Sequence, residues 1–118
     1  MSEPRRWSLY IDDMLRFAAK VQAYTRGRTQ TTFLADELVY DATLRNLELL
    51  GEAASKIPDD VRAAWTSIPW RQITATRNRL IHGYLGIDGD TVWSIIDTDI
   101  PALIHQLKQL NSSDEAAE

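Results

Sequence analysis

Two side chains in this sequence have types and spacing that could do chemistry together. Arg77 and His82 bracket the stretch Arg77-Asn78-Arg79-Leu80-Ile81-His82-Gly83-Tyr84, and His82 is one of only two histidines. A guanidinium grips oxyanions in two-pronged fashion, and an imidazole exchanges protons near neutral pH. Arg77 also stands in an unusual place. Trp70, Ile73, Leu80, Ile81 and Tyr84 recur at helical spacing and mark an apolar stripe, and Arg77 falls inside it. A charge on a core-facing stripe needs a partner or a purpose, because an unpaired buried charge is expensive. Two readings stand: Arg77 snorkels past the core edge or pairs with a carboxylate, or it is held there for function.

The geometry of a regular helix separates the pair. His82 follows Arg77 by five positions, so the two side chains point well apart. They converge if the last turn unwinds, or if two copies of the chain face each other. Asn78 and Arg79 are the helical neighbours of His82. Gly83 suits the left-handed closing residue of a helix, which places His82 at a C-terminus where the dipole attracts positive charge. His82 is therefore either a cap or surface residue, or a catalyst.

The elements that must position these residues are helices. Trp7, Tyr10, Ile11, Met14, Phe17, Ala18, Val21 and Tyr24 repeat every three or four residues along a first helix. Asp12, Arg16 and Lys20 follow its other side, and Gly27 to Thr32 reads as a loop. A long second helix is expected from Thr32 to Lys56, burying Tyr40, Leu44, Leu47, Leu50, Gly51, Ala54 and Ile57. Gly51, Ala53 and Ala54 would let a neighbouring helix approach closely. Asp41, Arg45, Glu48, Glu52 and Lys56 form a charged stripe, either a solvated face or a polar wall for a cleft or a symmetric partner.

Pro58 ends that helix, and a short helix runs from Asp59 through Trp65. Ser67 reads as the N-cap of the helix that carries Arg77, with Pro69 at an early position. Asp90 or Thr91 reads as the cap of the last helix, with a kink at Pro101. His105 reads as a surface residue without a role. Residues 1–110 then form one domain, and 111–118 a disordered acidic tail. The expected fold is all-α, an antiparallel bundle of four main helices plus a short one.

Composition narrows the function classes. There is no cysteine, which excludes disulfides and thiolate metal sites, and His82 and His105 show no metal-ligand spacing. No metal or other cofactor is expected. No apolar run is long enough to span a membrane, and the polar start of the chain is unlike a signal core, so the expected location is cytoplasmic. The net charge of −4 argues against a simple basic nucleic-acid binder. A local basic patch remains open: arginine outnumbers lysine ten to three, with Arg45, Arg71, Arg77 and Arg79 in or near the central stretch.

Two segments together resemble one family. Arg45-Asn46-Leu47-Glu48-Leu49-Leu50-Gly51-Glu52-Ala53-Ala54, followed by Lys56-Ile57-Pro58, resembles the second helix of HepT-like toxins of the HEPN superfamily. Arg77 to His82, then Gly83 and Tyr84, is similar to that family's Arg-x-x-x-x-His-x-Tyr motif. The resemblance covers nearly the whole chain. It implies a homodimer of HEPN-like bundles whose Arg77 and His82 line one cleft and are catalytic, cutting RNA, often tRNA, without metal. It also implies a minimal nucleotidyltransferase as antitoxin partner, which transfers AMP onto the tyrosine of the motif, here Tyr84. Asn78 and Arg79 then support the catalytic pair, and Arg45, Asn46, Glu48 and Glu52 are candidates for the cleft or the dimer interface. The alternative is a non-catalytic subunit that binds a nucleotide or other substrate for a nucleotidyltransferase. A third possibility is an interaction module whose Arg77 pairs with Glu48 or Glu52 across a dimer.

Overall fold

The structure is a computed structural model, and it describes residues 7–82 and 87–116. Among these, the regular structure is entirely helical, as the periodicity predicts. Helix α1 (Trp7–Thr25) buries Ile11, Met14, Ala18 and Val21 completely. It lies between α3 (Glu37–Ala54) and α7 (Ile100–Ala116), while α5 (Trp70–Ile81) packs on the other side of α3. The core therefore runs through α3, whose Leu44, Leu47, Leu50 and Ala54 are buried. No helix among the described residues is long and apolar enough to cross a membrane.

The chain leaves α1 through a turn at Gly27, whose φ of 75° is a left-handed conformation that glycine takes without strain. Where one long second helix was expected, the structure has two. Residues Gln30–Ala35 form α2, opened by a capping box in which Thr29 and Thr32 each accept from the other's backbone N–H. Asp36 then takes an extended conformation (φ −100°, ψ 98°) before α3 begins. Its carboxylate accepts from the Val39 N–H at 3.1 Å and pairs with Arg28 at 3.2 Å. A short acidic side chain that satisfies a free helix N–H is worth more as a cap than as an interior helical residue. The break lets α2 fold over the core and bury Phe33 against Tyr40 and Trp93, with ring centroids 5.5 and 5.6 Å apart.

Two caps differ from expectation. Helix α4 (Asp59–Ala64) follows Pro58, as anticipated, and stops one residue short of Trp65. Ser67, however, does not cap α5. Pro69 holds that position without a side-chain bond, and the Ser67 carbonyl instead accepts from Gln106 of α7 at 2.9 Å. Helix α6 (Gly89–Ser94) is capped by Asp88, not Asp90 or Thr91, through a 2.7 Å bond from the Thr91 N–H. That bond, chiefly, holds the Asp88 carboxyl below its ordinary range; the Arg79 charge adds to it.

The expected kink at Pro101 takes the form of a π turn. Residues Ile95–Asp99 widen the helix, and the Ile100 N–H reaches back five residues to the Ile95 carbonyl. In a regular helix the ring of Pro101 would crowd the carbonyl four residues back, and a wider turn just before it relieves that contact. Helix α7 continues to Ala116, past the boundary expected at residue 110, and Asn111 donates to the Asp12 carboxylate at 3.0 Å.

Candidate active site

The α3–α5 contact builds the site. Gly51 faces α5 so closely that a Cβ there would lie 2.3 Å from the Arg77 Cβ, 2.9 Å from its Cγ and 3.2 Å from the Ile73 carbonyl. The close approach that Gly51 suggested in the sequence is thus an approach to Arg77 itself. The stem of Arg77 lies in the space a side chain at position 51 would fill. Trp70, Ile73 and Leu80 are buried around it, whereas Ile81, expected on the same stripe, is 44% exposed. The Trp70 indole N–H donates to the Trp65 carbonyl at 3.0 Å, which ties the start of α5 to the end of α4.

The guanidinium is only partly satisfied. One terminal nitrogen, Nη1, donates to the Asn78 Oδ1 at 3.1 Å. The Nε is buried and has no hydrogen-bond partner. Among the described residues no carboxylate pairs with Arg77; Glu48 is taken by Arg45 at 3.2 Å. A buried N–H left unpaired costs roughly 1–3 kcal/mol. Nη2 makes no hydrogen bond or ion pair with the described residues, and it is this end of the guanidinium, not the buried Nε, that an anionic acceptor arriving from outside would meet.

His82 is the C-cap of α5, exposed, with φ −86° and ψ −1°. Its backbone N–H bonds to the Asn78 carbonyl at 3.3 Å. The last turn is therefore wound up to His82. Of the two ways for Arg77 and His82 to converge, unwinding of this turn is not the one adopted, and a facing second copy remains. The Asn78 side chain, expected beside His82, bonds to Arg77 instead. Arg79 is exposed near Asp88, and Tyr84 lies outside the described residues.

The α3 candidates divide by face. Arg45 and Glu52 are exposed and Glu48 is half-buried on the outer side. Asn46 turns into the core, donating to the Ala42 carbonyl at 2.9 Å, and its Oδ1 has no partner. Within one chain, therefore, Asn46 does not line an open cleft. The contact that spacing could not reveal is the seat of Arg77 on Gly51, because it depends on how two helices cross.

The fold and this site define an all-α domain that seats one arginine tightly between two helices. The Ribonuclease HepT-like family matches residues 14–110, so the chain belongs to that family. It is 34% identical to a protein named as a probable ribonuclease HepT of Thermococcus cleftensis, over 86% of this chain and 92% of that one. It is 33% identical to a Methanocaldococcus jannaschii protein named as a putative RNase, over 80% of this chain and 86% of that one. A protein of Caldanaerobacter subterraneus with the same kind of name is 30% identical over 86% and 90%. No solved structure gives a significant match.

Proposed function

We propose that this chain is a metal-independent endoribonuclease that works as a homodimer, with Arg77 and His82 as its catalytic residues. The observation that carries the reading is the Arg77 guanidinium. In a chain of a ribonuclease family it is seated on Gly51, held by Asn78 and left without a carboxylate partner among the described residues. RNA carries its own nucleophile, the ribose 2′-OH. His82 takes the proton of that hydroxyl or gives one to the leaving 5′ oxygen. Arg77 stabilises the charge that builds on the phosphate oxygens in the five-coordinate transition state. The P–O5′ bond breaks as the P–O2′ bond forms, leaving a 2′,3′-cyclic phosphate and a 5′-OH. The wound last turn of α5 supports the dimer, since the Arg77 of one chain and the His82 of another can then share a cleft.

Within this reading the protein is the toxin of a toxin–antitoxin pair acting in the cytoplasm, and tRNA is its substrate. A nucleotidyltransferase antitoxin silences it by placing AMP on Tyr84. The modification would add bulk and negative charge two residues from His82, where an RNA phosphate must sit.

The test is cleavage of total tRNA in EDTA by the parent, Arg77→Ala and His82→Ala proteins, with the product ends identified. Cleavage that requires both residues and leaves cyclic phosphates is the expected result. Affinity for RNA or nucleotide without turnover, from a folded unmodified dimer, would instead favour a non-catalytic binding subunit. Loss of the dimer in Arg77→Ala would favour a structural pair with Glu48 or Glu52.

A further inference from the structure

A second polar surface adjoins the site. An open pocket of about 760 Å³ lies between α4 and α5, with Arg62, Thr66, Arg71, Thr74 and Asn78 as its polar lining and Trp70 among its apolar lining. No acidic side chain lines it, although acidic residues outnumber basic ones 17 to 13 in the chain. Arg62 is paired with Asp59. Arg71 is exposed, and its side chain makes no hydrogen bond or ion pair with the described residues.

The pocket continues into the candidate active site along one face of α5. Arg71, Ala75, Asn78 and His82 follow at spacings of four, three and four, and all are exposed. Ala75 in the middle leaves the stripe low. From Arg71 to His82 the stripe spans about 16 Å of helix. Asn78 belongs to both regions, lining the pocket and holding the Arg77 guanidinium at 3.1 Å.

We infer that the α4–α5 pocket is a subsite for the phosphodiester backbone of single-stranded RNA, with Arg71 as its phosphate-binding residue. The inference rests on the ribonuclease reading above and extends it. With the scissile phosphate at Arg77 and His82, a strand laid along the low stripe of α5 brings a phosphate further along the strand, not the adjacent one, to Arg71. The free guanidinium supplies the charge, and the threonine and asparagine side chains supply neutral hydrogen bonds. Such a contact reads backbone, not base, so it governs affinity and salt dependence without selecting sequence.

The test uses the full chain and two readouts. Cleavage kinetics on total tRNA are measured for the parent and Arg71→Ala. Binding of a fluorescein-labelled single-stranded RNA oligonucleotide is followed across a salt series for His82→Ala and the double variant His82→Ala/Arg71→Ala. The expected result is a KM raised about tenfold at unchanged kcat. The slope of log affinity against log salt should become shallower by about 0.7. Arg71→Lys should restore most of the slope, because a lysine still neutralises one phosphate. Cleavage by the parent with KM and slope unaltered in Arg71→Ala would overturn the subsite and leave the ribonuclease reading intact. RNA binding that needs Arg71, without cleavage by any form, would uphold the subsite and overturn the ribonuclease reading. A parent that neither binds nor cleaves RNA would overturn both. Sedimentation is run alongside, and an Arg71→Ala protein that falls from dimer to monomer would make Arg71 an interface contact and overturn the proposal.

Discussion

Replacing Gly51 with alanine should separate activity from stability. The new Cβ would lie 2.3 Å from the Arg77 Cβ and 2.9 Å from its Cγ. Ordinary carbon–carbon contact is near 3.5 Å, so the first distance is short by about 1.2 Å. A Cβ is fixed to its backbone, so no rotation of Arg77 relieves the clash. The Ile73 carbonyl, 3.2 Å away, blocks the neighbouring direction. Helices α3 and α5 must therefore part by about an ångström, and Arg77 moves with α5. Overpacking of this kind costs roughly 1–3 kcal/mol. Alanine regains about 1 kcal/mol over glycine in a helix interior. We predict a net loss of about 0–2 kcal/mol, a fall of up to about 10 °C in melting temperature. A displacement of about 1 Å in a positioned catalytic group can cost on the order of a hundredfold in rate. The assay is tRNA cleavage by Gly51→Ala beside its thermal melt. Cleavage by Gly51→Ala at the parent rate, whatever its melt, would refute the reading that the seat on Gly51 positions a catalytic Arg77.

The other predictions concern the frame around the site. Asp36→Ala removes the acceptor of the Val39 N–H and the partner of Arg28, and should cost about 1 kcal/mol in a denaturant titration; no change would mean the α2–α3 break does not depend on this cap. Phe33→Ala empties a fully buried site between Tyr40 and Trp93 and should cost about 3–5 kcal/mol, a result that a loss under 1 kcal/mol would contradict. Asp88→Ala should show a pH signature. Because the folded-state pKa of Asp88 is lowered, its contribution is complete above the unfolded carboxylate value of about 3.9 and disappears as pH falls through the folded value. Melting temperatures of parent and variant should therefore differ at neutral pH and converge in acid, whereas a constant gap would rule out this linkage.

Much of the frame is legible in the sequence because it is periodic. The apolar spacing along α1, α3, α5 and α7 marks helices and their buried faces, since a 3.6-residue repeat has one way to bury its stripe. The same periodicity exposes Arg77 as a charge out of place, and Gly83 in the sequence puts His82 at the end of its helix. Local competition between neighbouring signals is less legible. Asp36 lies inside an apolar pattern that runs on past it, and the break there depends on the Asp36 cap together with the burial of Phe33 on the other helices. Ser67 has the right chemistry for a cap, yet α5 is entered two residues later, at Pro69, and the chain at Ser67 is tied to α7 by Gln106, which is 39 residues away.

The site divides along the same line. An all-α chain, the residue types of the candidate site and their order along one helix follow from the amino acids and their spacing. That Gly51 and Arg77 occupy one space, that Asn78 turns to Arg77 and not to His82, and that Arg71 continues the exposed face of α5 into a pocket against α4 are visible first in the packed helices. The physical reason is that periodicity records which face of a helix is buried but not against what. The crossing of two helices, and the partner each polar atom finds there, follow from the packing of the whole chain.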